Sequence, residues 1–201
     1  MSALLRLSGL IDALNRRVGK SVIWLIFAST LISAINAIVR KVFNISSNAY
    51  LEVQWYLFAA SFLLASAYTL LEHEHVRIDV LSGRLSKRGQ VWIDVFGFAL
   101  FLIPMCSVVL WLSLPFVQQA YVSGEVSSNA GGLIRWPVYA MMPAGFALLL
   151  LQGISELIKR VAFLQGRIDD PTVKPHDTSA EAALVEALRA EAEQKARAGQ
   201  A

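Results

Sequence analysis

The sequence predicts an all-α integral membrane protein: four transmembrane helices, an N-terminal amphipathic interfacial helix and a short cytoplasmic C-terminal helix. Three observations predict it. The 201 residues are 56% hydrophobic and 16% charged, with a mean hydropathy of +0.53, whereas a soluble domain carries about 25% charged residues. The apolar excess is gathered into four runs free of Asp, Glu, Lys and Arg, at residues 21–39, 53–71, 95–124 and 136–155, of 19, 19, 30 and 20 residues. About 20 apolar residues cross a bilayer core as a helix, so four crossings take nearly half the chain and exclude a soluble globular enzyme. Third, 15 of the 18 Lys and Arg lie in the N-terminal segment, the second loop and the tail, and only Arg40, Lys41 and Arg135 in the other two loops. The bias of basic residues toward the cytoplasm then places both termini there.

The order along the chain is a segment at residues 1–20, a four-helix membrane domain at 21–158 and a charged cytoplasmic tail at 159–201. In the first segment Leu4, Leu7, Ile11 and Leu14 recur at helical spacing, with Arg6, Asp12, Arg16 and Arg17 elsewhere on the wheel. That pattern suits a helix in the membrane interface; the alternative is a cytosolic extension packed on the protein. The first span, about 21–39, is longer than the 7–15 apolar residues of a signal peptide. It ends in Ala37-Ile38-Val39-Arg40-Lys41, without a small-x-small cleavage pattern, and reads as a retained helix. The second span, about 53–72, opens with Glu52, Trp55 and Tyr56, aromatic rings being favoured at the membrane boundary. Glu52 beside them suits a helix cap or a pair with a basic group on another chain.

Pro104 and Pro115 interrupt the third run. Proline removes a backbone donor and crowds the preceding turn, so Pro104 is expected to kink a span of about 91–117, with Pro115 near its outer end. Freed carbonyls in a membrane need neighbouring protein, and that favours a packed bundle over a lone anchor. In the fourth span, about 136–157, Gly145 and Gly153 lie eight residues apart on roughly one face. Small residues there permit close helix approach, within this chain or to another. In the tail, Thr178 and Glu181 form a capping-box pattern before the i,i+4 pairs Glu191–Lys195 and Glu193–Arg197, which predicts a short helix.

Independent chemistry is hard to place on this chain. Cys106 is a lone cysteine, so there is no disulfide framework. Haem ligation would need histidines inside the spans, and His73, His75 and His176 lie outside them. In Glu72-His73-Glu74-His75 the two histidines diverge on a helix, which favours a polar collar over a zinc site. An intramembrane charge costs a few kcal/mol or more and marks a transport pathway. Here Glu52, Asp94 and Glu156 all sit at span boundaries. No nucleotide-binding loop or nucleophile–base grouping is present, and the net charge of +3 reflects loop asymmetry rather than nucleic-acid binding. By elimination the chain is a scaffold or accessory membrane subunit.

Three stretches carry a family resemblance: Glu52-Val53-Gln54-Trp55-Tyr56-Leu57, His75-Val76-Arg77-Ile78-Asp79-Val80, and the last span from Pro137 through Pro143-Ala144-Gly145-Phe146 to Leu151. With the Asn129-Ala130-Gly131-Gly132 loop leading to Arg135, Trp136 and Pro137, the chain over about residues 15–165 resembles the small permease subunit, DctQ-type, of tripartite ATP-independent periplasmic (TRAP) transporters. The resemblance implies a non-catalytic subunit of a bacterial inner-membrane uptake system. Its partners would be a large permease subunit, a periplasmic substrate-binding protein that delivers an organic acid or related solute, and membrane lipid. No cofactor is implied on this chain; the coupling sodium ions would sit on the large subunit. Glu52 and Trp55 would face the large subunit or the outer surface, and His75, Arg77 and Asp79 would form an inner collar. Asp94, Arg135, Pro137 and Gly145 complete the candidate interface or boundary residues. The alternatives are a structural four-helix anchor of another complex and an autonomous small transporter.

Overall fold

The computed structural model of the chain describes residues 2–44, 47–73 and 85–170. Four helices carry most of them: α1 (Ser2–Phe43), α2 (Asn48–Leu71), α3 (Lys87–Ser123) and α4 (Trp136–Leu164). Each is long and apolar enough to cross a membrane. The tail helix expected after Thr178, and the candidates His75, Arg77 and Asp79, lie outside the described residues.

α1 is one continuous helix of 42 residues rather than an interfacial helix followed by a span. Nothing in its sequence breaks it: it contains no proline, and its glycines, Gly9 and Gly19, are isolated. At about 1.5 Å per residue it is about 63 Å long, twice the hydrocarbon thickness. Its first third therefore extends beyond the span, where Ser8, Ile11 and Asn15 are buried. Asn44, with φ of 56°, ends it in the left-handed conformation that asparagine tolerates.

In α3 the strain of Pro104 is taken up before the proline. Ser86 caps the helix, its hydroxyl accepting from the Gly89 N–H at 3.3 Å. The chain is α-helical to Gly97, forms a π turn over Phe98–Leu102, and resumes as α-helix from Ile103. The Ile103 N–H donates to the Phe98 carbonyl, an i to i−5 bond. The widened turn makes room for a ring that would crowd the Leu100 carbonyl. Pro115 lies inside the resumed helix, which runs on to Ser123 and stops at Gly124, φ 62°. Pro137 occupies the first turn of α4, where a missing N–H costs nothing.

α4 is the central helix. It touches α1, α2 and α3, and α1 also packs along α2. A third of its most apolar window is buried, against 6% for α1 and α3. Glycines make the closest approaches. A Cβ on Gly145 would lie 2.7 Å from the Leu63 carbonyl oxygen of α2, one on Gly153 2.3 Å from Leu102 Cδ2 of α3, and one on Gly19 2.2 Å from the Tyr68 ring. Gly145 and Gly153 thus serve packing within this chain, each against a different helix. α1 and α3, at the flanks, leave broad apolar faces uncovered, among them Trp24, Phe27 and Leu31 on one and Phe101, Trp111 and Leu112 on the other.

Candidate functional site

Among the described residues the charged side chains of the bundle collect at its two ends. The terminal end holds the start of α1, the start of α3 and the end of α4. The hairpin end holds the α1–α2 turn and the loop between α3 and α4.

At the terminal end, a polar stripe on α1 (Ser8, Asp12, Asn15) meets a polar stripe on α4 (Gln152, Ser155, Glu156, Lys159). The spacings of three and four put each set on one helix face. Ser155 Oγ lies 2.7 Å from Ser8 Oγ and 2.7 Å from Asp12 Oδ1. Asn15 Nδ2 donates to Gln152 Oε1 at 2.7 Å. Gln152 Nε2 in turn donates to Asp12 Oδ1 at 3.0 Å and Glu156 Oε1 at 3.1 Å. Lys159 bridges Asp12, at 3.1 Å, and Glu156. Arg160 is fully buried; it pairs with Glu156, donates from Nε to Asp94 Oδ2 at 2.9 Å, and lies 4.6 Å over the Phe98 ring. The π turn matters here because it sets the phase at which Phe98 meets that guanidinium. Asp94 is therefore a ligand of Arg160, beyond being a boundary residue.

Ion pairs removed from water are stable only when their remaining lone pairs and protons are hydrogen-bonded. This network meets that condition, apart from Asn15 Oδ1, which is buried without a partner. Its chemistry is cohesive: two cations and three carboxylates tie α1, α3 and α4 together. Among the described residues no group of His, Cys, Asp and Glu is placed to hold a metal.

At the hairpin end, Glu52 is buried in the first turns of α2 and organises the loop that enters α4. Its two oxygens accept from Asn129 Nδ2 and from the Leu133 N–H, each at 2.7 Å. The loop is a small hairpin: Val126 and Ile134 form a bridge, the Ser127 N–H donates to the Leu133 carbonyl at 2.9 Å, and the Arg135 N–H to the Glu125 carbonyl at 2.9 Å. Tyr56 adds a hydrogen bond to the Ile134 carbonyl at 3.2 Å. Within this chain Glu52 is thus a clamp on a loop, an arrangement different from either the helix cap or the pairing with another chain that its position suggested.

Arg135 Nη1 donates to the Tyr139 hydroxyl at 3.2 Å, which donates to Glu125 Oε1 at 3.2 Å. That hydroxyl, with Glu125 nearby, holds the guanidinium above its ordinary pKa, so it stays a cation. Glu52, Trp55, Tyr56, Asn129, Arg135 and Tyr139 line a cleft of about 340 Å³. The Trp55 ring is exposed at its rim. The structure thus brings Glu52, Trp55 and Arg135 together, with Pro137 one turn away in α4, while Gly145 and Asp94 serve packing and pairing elsewhere.

Sequence reasoning missed Asp12, Asn15, Ser155, Lys159 and Arg160 as a unit. The signal was present in the matched three-and-four spacing of the two polar stripes. Asn129 and Tyr139 had no local signal, since only the fold brings them to Glu52 and Arg135.

Comparison with known families follows this geometry. The family model for the DctQ component of tripartite ATP-independent periplasmic transporters matches residues 29–163, from within α1 to the end of α4. No curated protein and no solved structure matches the chain.

Proposed function

Because the chain belongs to the DctQ family and is a multi-pass small membrane component of a tripartite ATP-independent periplasmic transporter, we propose that it supports a large permease without itself carrying solute. In this reading the coupling is to sodium, the solute is an organic acid or related compound delivered by a periplasmic binding protein, and the sodium sites lie on the large subunit. The chain sits in a bacterial inner membrane with both termini in the cytoplasm, so the hairpin end faces the periplasm. The basic-residue asymmetry supports that orientation.

One observation carries the reading. The charged groups buried or half-buried where α3 and α4 meet α1, Asp94, Glu156, Lys159 and Arg160, are engaged with one another or with α1, at one end. A transport pathway needs polar groups that exchange partners with cargo near mid-membrane. This chain instead offers large apolar faces on α1 and α3. Such faces meet either lipid or another membrane protein, and a helix bundle with its charges internally neutralised is suited to be a fixed surface for a moving partner. The clamped loop and its cleft, with Trp55 exposed and Arg135 half-buried, suit a platform toward the binding protein.

Co-purification tests the proposal. A tagged chain extracted in mild detergent should carry with it a large multi-span permease, and reconstitution of this chain alone should give no solute flux. If native membranes hold such a permease and none is recovered, the proposal falls. Uptake that survived deletion of the chain would reduce it to a structural anchor.

A further inference from the structure

The two cations that the orientation reading leaves unexplained are Arg40 and Lys41, which lie on the less basic side of the chain. They stand in the last turn of α1. There they line a groove of about 460 Å³ between α1 and α2, with Asn36, Asn44, Gln54 and Ser33. No carboxylate lines it, and among the described residues neither cation is in an ion pair. The Gln54 amide nitrogen is buried with no hydrogen-bond partner. A buried unpaired donor costs free energy unless an acceptor reaches it. Cations near a helix C-terminus are favourable on their own account, but that explains neither the idle amide nor the exclusion of acids from the groove.

Depth identifies the acceptor. The charge-free run at residues 21–39 is 19 residues, about 28 Å of helix, close to the thickness of a hydrocarbon core. Arg40 and Lys41 therefore come level with lipid headgroups. The surroundings below are apolar and exposed: Phe58 and Phe62 on α2, Ile26 on α1. A ligand at this level with acceptor oxygens, negative charge and hydrocarbon beneath is a phospholipid.

We propose that the groove between α1 and α2 at the hairpin end is a binding site for one anionic phospholipid, its phosphate held by Arg40 and Lys41, with the Gln54 amide turning out of the groove wall to donate to it, and its acyl chains lying along Phe58 and Phe62. The site does not depend on which partner the bundle supports, nor on which leaflet this end occupies. It gives the chain a fixed lipid beside the loop-bearing end and accounts for a cation pair that loop topology alone disfavours.

Native mass spectrometry of the full chain, in the detergent complex recovered from its membrane, tests this with phosphatidylglycerol, phosphatidylcholine and inorganic phosphate as probes. The unaltered protein should retain one phosphatidylglycerol through activation that strips phosphatidylcholine, and millimolar phosphate should not displace it. The double variant R40Q/K41Q should lose retention at least fivefold, and Gln54→Leu by a smaller factor. R40K/K41R should keep it, and R6Q/R17Q, with the same charge removed from the other end, should be unchanged. Circular dichroism and elution volume establish that each variant is folded. Equal loss in R6Q/R17Q would overturn the site in favour of general charge attraction. Displacement by free phosphate would overturn it in favour of an anion site, and loss of a bound protein from R40Q/K41Q with lipid retained would overturn it in favour of a protein contact.

Discussion

Replacing Gly145 and Gly153 by alanine separates two kinds of close packing that look alike in sequence. Both glycines are buried mid-helix in α4, so alanine gains about 1 kcal/mol of helix propensity at either position. The steric terms differ. At Gly145 the new methyl would sit 2.7 Å from the Leu63 carbonyl oxygen and 2.9 Å from its carbon, both backbone atoms of α2. Relief requires α2 and α4 to part, a form of overpacking that costs about 1–3 kcal/mol or more, and the Glu52 clamp ties α2 to the loop that enters α4. At Gly153 the nearest atom is a terminal methyl of Leu102, with the next contacts at 3.8 Å. A rotamer change removes that clash for about 1 kcal/mol. Because the Gly145 clash is with backbone atoms, the upper end of that range applies, and Gly145→Ala should destabilise by about 2 kcal/mol net, while Gly153→Ala should lie within about 0.5 kcal/mol of the parent. Reversible unfolding in mixed detergent micelles, followed by circular dichroism, measures both. Equal stabilities, or a larger loss at Gly153, would refute the assignment of Gly145 as the backbone contact between α2 and α4.

The other predictions concern the polar ends and the π turn. Arg160→Met should cost about 3–5 kcal/mol in the same assay, because it leaves Glu156 and Asp94 without their shared buried cation; a loss under 1 kcal/mol would show that the network is not cohesive. Glu52→Ala should speed hydrogen exchange at the Leu133 amide and its neighbours in the 124–135 loop while leaving α4 protected, and unchanged exchange there would remove the clamp. Pro104→Ala restores an N–H to α3 and lets the π turn close to α-helix, rotating Lys87–Gly97 by about 100° relative to the rest. Asp94→Asn should then destabilise the parent in the unfolding assay and cost nothing further in the Pro104→Ala background, where Asp94 no longer meets Arg160; an undiminished cost there would refute the rotation.

The four-span architecture was legible because a bilayer imposes a length and a composition that single residues cannot disguise. The runs at 21–39, 53–71 and 136–155 each fall inside one helix. Element ends were less legible. The segment before residue 21 carried leucines at helical spacing, and that pattern alone does not say whether the helix is separate. The absence of a breaker lets it run on into the span, and what fixes its position is Ser8, Asp12 and Asn15 finding partners on α4, a tertiary fact. Pro104 announced a disturbance but not its form, since a kink and a π turn both relieve the same clash. Of the candidate site, Glu52, Trp55 and Arg135 were identifiable by type and position. Their conjunction was not, because it depends on a loop hairpin that delivers Asn129 and the Leu133 N–H to a carboxylate some eighty residues earlier.

The distribution of charge also explains why low charge content alone understated the design. Asp12, Asp94, Glu156, Lys159 and Arg160 come from three helices, and each sits outside or at the margin of its apolar run, so a count along the chain files them as loop charges. In space they form the seam that fixes α1 and α3 to α4 at one end. Opposite it, Glu52 fixes the loop to α2, and the glycine contacts close the middle. A bundle fastened at both ends by buried polar bonds can leave broad apolar faces on α1 and α3 without losing its register. That division of labour is what a membrane subunit needs if its outer faces are to match lipid or protein.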